Sequence, residues 1–187
     1  IVKKIYHQGD EVNKILDSYG NIVFQKKAKM TNDIRFHTKS SVDGLNYFTV
    51  YYTDGTQKDM KYSEPNNEYV FPIPTDKTVR LINFGTSYID EVTVSCKIKL
   101  SSNLFNSKPS TIRLLTCDAT ESKDLTQSFN YMDSPQKLVE IRNLDARNAT
   151  RMSNLFGESY NIQQIIMRDL NVSKVTDMSY MFNKCSG

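Results

Sequence analysis

The sequence predicts a mainly β protein: an N-terminal antiparallel β meander and a β-sandwich, followed by a solenoid of short strands and short helical turns. Three observations support this prediction. One apolar pattern recurs between Ile112 and Gly187, short alternating segments separated by turn residues precede it, and no helical periodicity competes in those segments. We therefore expect three parts, at residues 1–27, 28–105 and 106–187.

The recurring pattern is the strongest signal, because five apolar positions keep their spacing through three copies. The positions are Ile112, Leu114, Cys117, Leu125 and Phe129; Val139, Ile141, Leu144, Met152 and Phe156; and Ile165, Met167, Leu170, Met178 and Phe182. The offset is 27 residues between the first two copies (139 − 112) and 26 between the last two (165 − 139). A period in the twenties predicts a leucine-rich-repeat-like solenoid, with one strand and one short helical turn per copy. One copy cannot bury its own apolar face, so stacking of the copies forms the core.

The end of the third copy carries a family resemblance. Its sequence Val-Thr-Asp-Met-Ser-Tyr-Met-Phe-Asn-Lys-Cys-Ser, from Val175 to Ser186, resembles the BspA-type leucine-rich repeat, also called the DUF285 repeat, of bacterial and mycoplasma surface proteins. The third copy matches closely, the second moderately and the first only in its apolar positions. The resemblance implies a surface or adhesion context. We expect further repeats beyond Gly187, where the next strand would begin.

Residues 1–27 have the pattern of a small antiparallel meander. Turn residues at Gln8-Gly9-Asp10 and near Gly20-Asn21 separate short apolar segments, and these residue types supply the positive φ that tight turns need. The opening Ile-Tyr-x-x-Gly-x-Glu-Val-x-Lys-Ile is similar to the openings of phage tail and virion proteins. A plain β-hairpin explains the same pattern equally well.

Residues 28–105 have the strongest β character and predict an antiparallel sandwich. Leu45 to Tyr52 is rich in aromatic and β-branched residues, and Asp54-Gly55 is a strong hairpin signal before the chain returns at Gln57 to Tyr62. From Val92 to Leu100 apolar and polar residues alternate, as in a half-buried strand. The polar segment from Ser101 to Ser110 is the expected boundary, and the sandwich could cap the solenoid.

Composition and motifs exclude several function classes. The formal net charge is only +3 and the basic residues are dispersed, so we expect no nucleic-acid binding. No apolar run is long enough to span a bilayer, so we expect no membrane insertion. The three cysteines, Cys96, Cys117 and Cys185, are odd in number and widely spaced, which favours small core residues over disulfides or metal ligands.

No catalytic, metal or cofactor site is predicted. His7 and His37 are the only histidines, and the sequence contains no phosphate-binding glycine loop, no Gly-x-Ser-x-Gly motif and no His-Glu-x-x-His motif. Asp118, Glu121 and Asp124 could in principle serve acid–base or Ca²⁺ chemistry, but beside Lys123 they are more typical of a solvated loop. We therefore expect that the chain is not an enzyme.

Tyrosine side chains give the one residue-level binding hypothesis. Tyr51 and Tyr52 are adjacent in a predicted strand, so alternation places them on opposite faces and exposes at least one. Exposed tyrosines contact proteins and sugars well, although packing through cross-strand aromatic pairs is the commoner role.

The two resemblances, of the repeat and of the opening, together imply a non-enzymatic structural or adhesive component of a phage virion, of fibre or tail type. Its partners would be other virion subunits or a host-surface protein or glycan, in a homo-oligomer or larger assembly. One alternative is a bacterial cell-surface adhesin with BspA-type repeats. A second is a glycan-binding or glycan-active module, which would need a carboxylate pair or an aromatic platform in the sandwich.

Overall fold

The protein is mainly β, as predicted. The structure, a computed structural model, describes residues 2–4, 14–17, 22–25, 29–38, 46–62, 68–85, 89–105, 109–130 and 138–186, and these residues form no helix. The described part of the chain therefore has no helix that could span a bilayer. Its strands are β1 (Val2–Lys4), β2 (Lys14–Asp17), β3 (Ile22–Gln25), β4 (Asp33–Thr38), β5 (Asn46–Tyr52), β6 (Gln57–Tyr62), β7 (Glu68–Pro72), β8 (Val79–Asn83), β9 (Ile89–Ser95), β10 (Thr111–Asp118), β11 (Leu138–Asp145) and β12 (Gln164–Arg168).

The first three strands form a small antiparallel sheet in the order β1-β2-β3. This is the arrangement that the turn-rich opening predicts. The predicted turns at Gln8-Gly9-Asp10 and Gly20-Asn21 lie outside the described residues, as does His7.

Two further sheets face each other in the middle of the chain and enclose an aromatic core. One has the order β6-β5-β8, and the other contains β4, β7 and β9. Phe48 of the first sheet stacks on Phe36 of the second, with ring centres 4.5 Å apart, and meets Phe71 edge-on at 5.1 Å. All three rings are almost completely buried. Such offset and edge-to-face pairs add to the stabilisation that burial itself provides.

This two-layer region differs from the predicted antiparallel sandwich in one respect. Strand β9 pairs antiparallel with β4 on one side, but on the other side it pairs parallel with β10. The second layer is therefore part of a mixed six-stranded sheet, in the order β12-β11-β10-β9-β4-β7. The sheet runs across the sequence boundary predicted at Ser101 to Ser110, because Val92 of β9 lies beside Ile112 of β10.

Strands β10, β11 and β12 pair in parallel at the offsets of the sequence repeat. Ile112 lies opposite Val139, and Val139 lies opposite Ile165. The same alignment continues after the strands, where isolated parallel bridges join Asp124 to Arg151 and Arg151 to Asp177. The three copies thus lie one above the other, and we call each copy a rung of the stack.

The segments predicted to be short helical turns are bent, non-helical turns. Their hydrogen bonds span three residues, as from the Gly157 N–H to the Asn154 carbonyl at 2.9 Å. Other N–H groups in these segments donate to the next rung: Phe129 to the Leu155 carbonyl at 2.8 Å, for example. Because these donors are used between rungs, they are not available for hydrogen bonds within a helix.

Phenylalanine rings form a column through the stack, and this column gives a stability test. Phe156 is fully buried, between Phe129 at 5.5 Å and Phe182 at 5.6 Å, whereas Phe182 is 48% exposed. We expect Phe156→Ala to lower the free energy of unfolding by about 3–5 kcal/mol, because the large cavity cannot be refilled. The matched control Phe182→Ala should cost less than half as much. Denaturant titration of both variants measures this, and equal losses would contradict the packing described.

Candidate binding surfaces

The third rung exposes the face that the first two rungs bury. Met178 and Phe182 are each 48% exposed, but their equivalents in the second rung, Met152 and Phe156, are 2% and 0% exposed. Tyr180 lies between the two exposed residues and is 69% exposed. We call the surface from Asp177 to Lys184 the open face. Sequence analysis could not identify it, because its apolar residues have the same pattern as those in the core.

The backbone of the open face presents a row of hydrogen-bond donors. In the second rung, the N–H groups of Met152, Asn154, Phe156 and Glu158 donate at 2.8–2.9 Å to carbonyls of the third rung, those of Asp177, Ser179, Met181 and Asn183. The equivalent N–H groups of the third rung belong to Met178, Tyr180, Phe182 and Lys184. None of these four donates a hydrogen bond to the described part of the chain. These are the positions through which the second rung pairs with the rung that follows it.

Charged side chains of opposite sign lie beside each other along the stack at both ends of the open face. Arg151 lies between Asp124, at 3.5 Å, and Asp177, at 3.6 Å. At the other end the Lys184 ammonium lies 3.3 Å from the Glu158 carboxylate, which raises the pKa of Lys184. The pKa of Asp177 is lowered, first by the hydrogen bond from Ser179 and then by Arg151. The open face therefore carries a carboxylate at one end and an ammonium group at the other.

A groove of about 260 Å³ runs beside the bends that follow the parallel strands. Two sets of equivalent residues, one residue from each rung, line this groove. The first set is Thr116, Asn143 and Asp169, and the second is Asp118, Asp145 and Asn171. Met30, Cys117 and Leu144 complete the lining. The first set has positive φ, from 51° to 58°, in all three rungs. The carboxylates of Asp118 and Asp145 already accept hydrogen bonds, from Thr120 and Arg147 respectively.

The structure does not bring the predicted carboxylates together as one site. Asp118 accepts from Thr120, Glu121 accepts from the hydroxyl of Thr78, and Asp124 accepts from the Thr126 N–H at 2.8 Å. Within the described ranges, no three His, Cys, Asp or Glu residues are grouped so that they could hold a metal ion. His37 is half-buried in β4, in register with Glu68 and Glu91.

The cysteines have the properties of core residues. Cys96 and Cys117 are buried and all three cysteines are free thiols. Burial raises the pKa of Cys117 to about 12 and raises that of Cys96 well above its ordinary value. Both thiols therefore stay protonated at neutral pH and are poor nucleophiles. The Cys117 thiol donates to the Val94 carbonyl at 3.1 Å.

Tyr51 and Tyr52 lie on opposite faces of β5, in very different surroundings. Tyr52 is 3% exposed and packs in the core between the sheets, where its hydroxyl has no hydrogen-bond partner among the residues that the structure describes. Tyr51 lies on the outer face, half-buried, with the Arg80 guanidinium 5.3 Å from its ring centre. Of the two, only Tyr51 is placed to contact a partner without rearrangement of the core. Its role in binding stays a prediction.

The comparisons with known proteins concern the repeats. Residues 123–187 match a family model described as "Mycoplasma protein of unknown function, DUF285". The match covers the second and third rungs and the end of the first, and supports the resemblance noted for Val175 to Ser186. The comparison with curated proteins found no match, and neither did the comparison with solved structures.

The strained backbone beside the groove gives a second stability test. Thr116 has a φ of 58°, a conformation that is unfavourable for a β-branched residue. The equivalent residues of the other two rungs are Asn143 and Asp169, which are residue types that tolerate positive φ. We expect Thr116→Asn to raise the free energy of unfolding by about 1 kcal/mol, because it relieves the strain. The matched change Thr120→Asn, outside the positive-φ position, should not stabilise. Denaturant titration that finds Thr116→Asn destabilising would contradict this assignment.

Substitutions of Tyr51 and Tyr52 measure separately what a hydroxyl group and an aromatic ring contribute to the stability of the protein. We expect Tyr52→Phe to change stability by less than about 1 kcal/mol or to increase it, because the buried hydroxyl of Tyr52 has no partner to lose in the described part of the chain. Tyr52→Ala should cost about 3–5 kcal/mol, as for other buried aromatic side chains. Tyr51→Ala should cost far less than that. Thermal unfolding of the three variants measures the order, and a large loss in Tyr52→Phe would show that the hydroxyl is bonded.

Proposed function

We propose that this chain is a non-enzymatic, surface-associated module whose stacked repeats bind a macromolecular partner. The observation that carries the proposal is the parallel, in-register stack, in which equivalent residues of the three rungs lie side by side. We interpret the stack as a leucine-rich-repeat-like solenoid, an architecture that offers extended surfaces to large partners.

The family match favours a bacterial cell-surface setting over the virion. Residues 123–187 match the DUF285 model, and the resemblance of this repeat is to bacterial and mycoplasma surface proteins. The virion hypothesis depends on the opening of the chain, which is a short antiparallel meander of a kind found in many proteins. A cell-surface adhesin is therefore the leading proposal and a phage fibre or tail component is the second.

An enzymatic role has less support. The carboxylates of Asp118 and Asp124 accept hydrogen bonds from different residues, Thr120 and Thr126, and do not form a pair. The buried thiols of Cys96 and Cys117 are protonated at neutral pH. A glycan-binding role would depend on the outer face of β5, where Tyr51 and Arg80 are the available contacts. We therefore propose binding without turnover.

Localisation tests this proposal. Quantitative mass spectrometry would compare the cell-envelope fraction, the cytosolic fraction and purified phage particles from cells that carry this gene. We expect enrichment in the envelope fraction, and loss of the protein's peptides when intact cells are treated with protease. Stoichiometric recovery in particles would overturn the adhesin and favour the virion component, and enrichment in the cytosol alone would contradict both.

A further inference from the structure

The groove on the side of the stack has an apolar floor. Its volume is about 260 Å³, and its apolar lining consists of Met30, Cys117 and Leu144. Cys117 and Leu144 are each only 3% exposed, so they lie at the bottom of the groove. Ligand pockets generally enclose about 300–1,000 Å³, so this groove has room for one or two side chains of a partner.

The position of the groove in the stack does not depend on the exposed face of the third rung. Asp118 pairs with Lys97 on one side and with Asp145 on the other. Asp145 in turn pairs with Asp118 and with Asn171. Both aspartates therefore have a paired neighbour on each side, and they line the groove because they lie on the lateral surface of the stack.

Three carboxylates border the apolar floor, those of Asp118, Asp145 and Asp169. Asp118 lies directly opposite Asp145, and like charges in this arrangement repel each other. Among the described residues, neither Lys29 nor Lys97 has an ion pair with Asp118 or Asp169. A cation between the carboxylates would therefore relieve the repulsion.

The repeat shows how such a cation can bind. Two residues after the aspartate of the second rung comes Arg147, whose Nε donates to both carboxylate oxygens of Asp145, at 2.9 and 3.1 Å. The equivalent residue of the first rung is Thr120, whose N–H and hydroxyl both donate to Oδ1 of Asp118, at 3.0 and 2.7 Å. In the described part of the chain, Oδ2 of Asp118 accepts no hydrogen bond.

Arg147 only partly compensates the charge of the groove. Its pKa is raised, first by the hydrogen bond to Asp145 and to a smaller extent by the charge of Asp118. Asp169 has no hydrogen bond or ion pair to the described residues, and it is exposed. Two of the three carboxylates, Asp118 and Asp169, are therefore available to cations of another molecule.

The chemistry of the groove selects an organic cation with an aliphatic stem. Nucleic acids and anionic lipids carry the same sign of charge as the groove and would be repelled. A guanidinium group can donate two parallel hydrogen bonds to one carboxylate. The methylene groups of an arginine can at the same time cover apolar surface such as that of Cys117 and Leu144.

We propose that this groove binds arginine side chains of a partner polypeptide. One guanidinium group pairs with Asp118, as Arg147 pairs with Asp145, and its methylene groups lie on the apolar floor. A second arginine of the same segment pairs with Asp169. Asp118 and Asp169 are two rungs apart, about 10 Å, which three residues of an extended chain span. The inference rests on the proposed function, because it names the chemistry of the partner that the module binds.

A short peptide provides the test. The peptide is acetyl-Gly-Arg-Gly-Gly-Arg-Gly-amide, and its binding to the whole protein would be followed in ¹H–¹⁵N NMR spectra. We expect saturable shifts of the amide signals of Cys117, Leu144 and their neighbours. The same peptide with both arginines replaced by citrulline, which is neutral and of similar shape, should bind at least about fivefold more weakly.

Paired protein variants assign the binding to the groove. Asp118→Asn with Asp169→Asn should weaken peptide binding at least about fivefold, because both charges are lost. The amide oxygen of an asparagine can still accept from Thr120, and asparagine already occupies the equivalent of position 169 in the second rung, at Asn143. The control Asp59→Asn with Asp76→Asn changes the net charge equally at exposed positions outside the groove, and should bind like the native protein.

Several results would overturn the inference. They are the absence of binding at millimolar peptide, equal binding of the citrulline peptide, and equal losses in the groove variant and the control variant. Spermidine, a free polyamine, is titrated in parallel. If it shifted the same signals at lower concentrations than the peptide, the groove would be a site for small amines and not for a polypeptide.

The inference and the proposed function fail separately. Envelope localisation without peptide binding would overturn only the arginine-binding groove. Peptide binding by a protein that is found in the cytosol alone would overturn only the surface-associated role.

Discussion

The structure depends on one constraint: the rungs pair in parallel and in register. This pairing places Ile112, Val139 and Ile165 side by side in the strands. The same alignment is kept after the strands, where Asp124, Arg151 and Asp177 lie side by side. Each position in the repeat therefore contacts its own equivalents in the neighbouring rungs. The phenylalanine column, the alternating charges and the groove all follow, because each consists of equivalent residues brought to the same height in adjacent rungs.

The strand of the first rung, β10, also needs a neighbour on its outer edge, and strand β9 is that neighbour. Val92 and Val94 are fully buried and lie beside Ile112 and Leu114, so β9 covers the first rung's strand. The opposite edge of β9 pairs with β4, whose Phe36 packs against Phe48 of the facing sheet. The aromatic two-layer region and the repeats thus share one sheet and one apolar core. A repeat array generally needs such a cover where its regular pattern starts.

The contacts between rungs arise from the same regularity. The features that join one rung to the next are an N–H row, an apolar column and charges of alternating sign. The groove beside the bends is also built from equivalent residues, and the carboxylates of Asp118 and Asp145 that line it already accept hydrogen bonds.

The sequence by itself determined the copies, their offsets and the buried face, because a covalent period fixes which residues become neighbours once the copies stack. It also determined the β character of the first two thirds of the chain. Only the tertiary structure decided the form of the turns: apolar residues four apart, such as Met152 and Phe156, suit a helical turn and a bent rung equally, and the choice depends on hydrogen bonds to another rung. Alternation placed Tyr51 and Tyr52 on opposite faces, but the facing sheet decided that Tyr52 is inside. Phe156 and Phe182 occupy equivalent positions, and they differ in exposure because, within the described residues, only Phe156 lies between two neighbouring rungs.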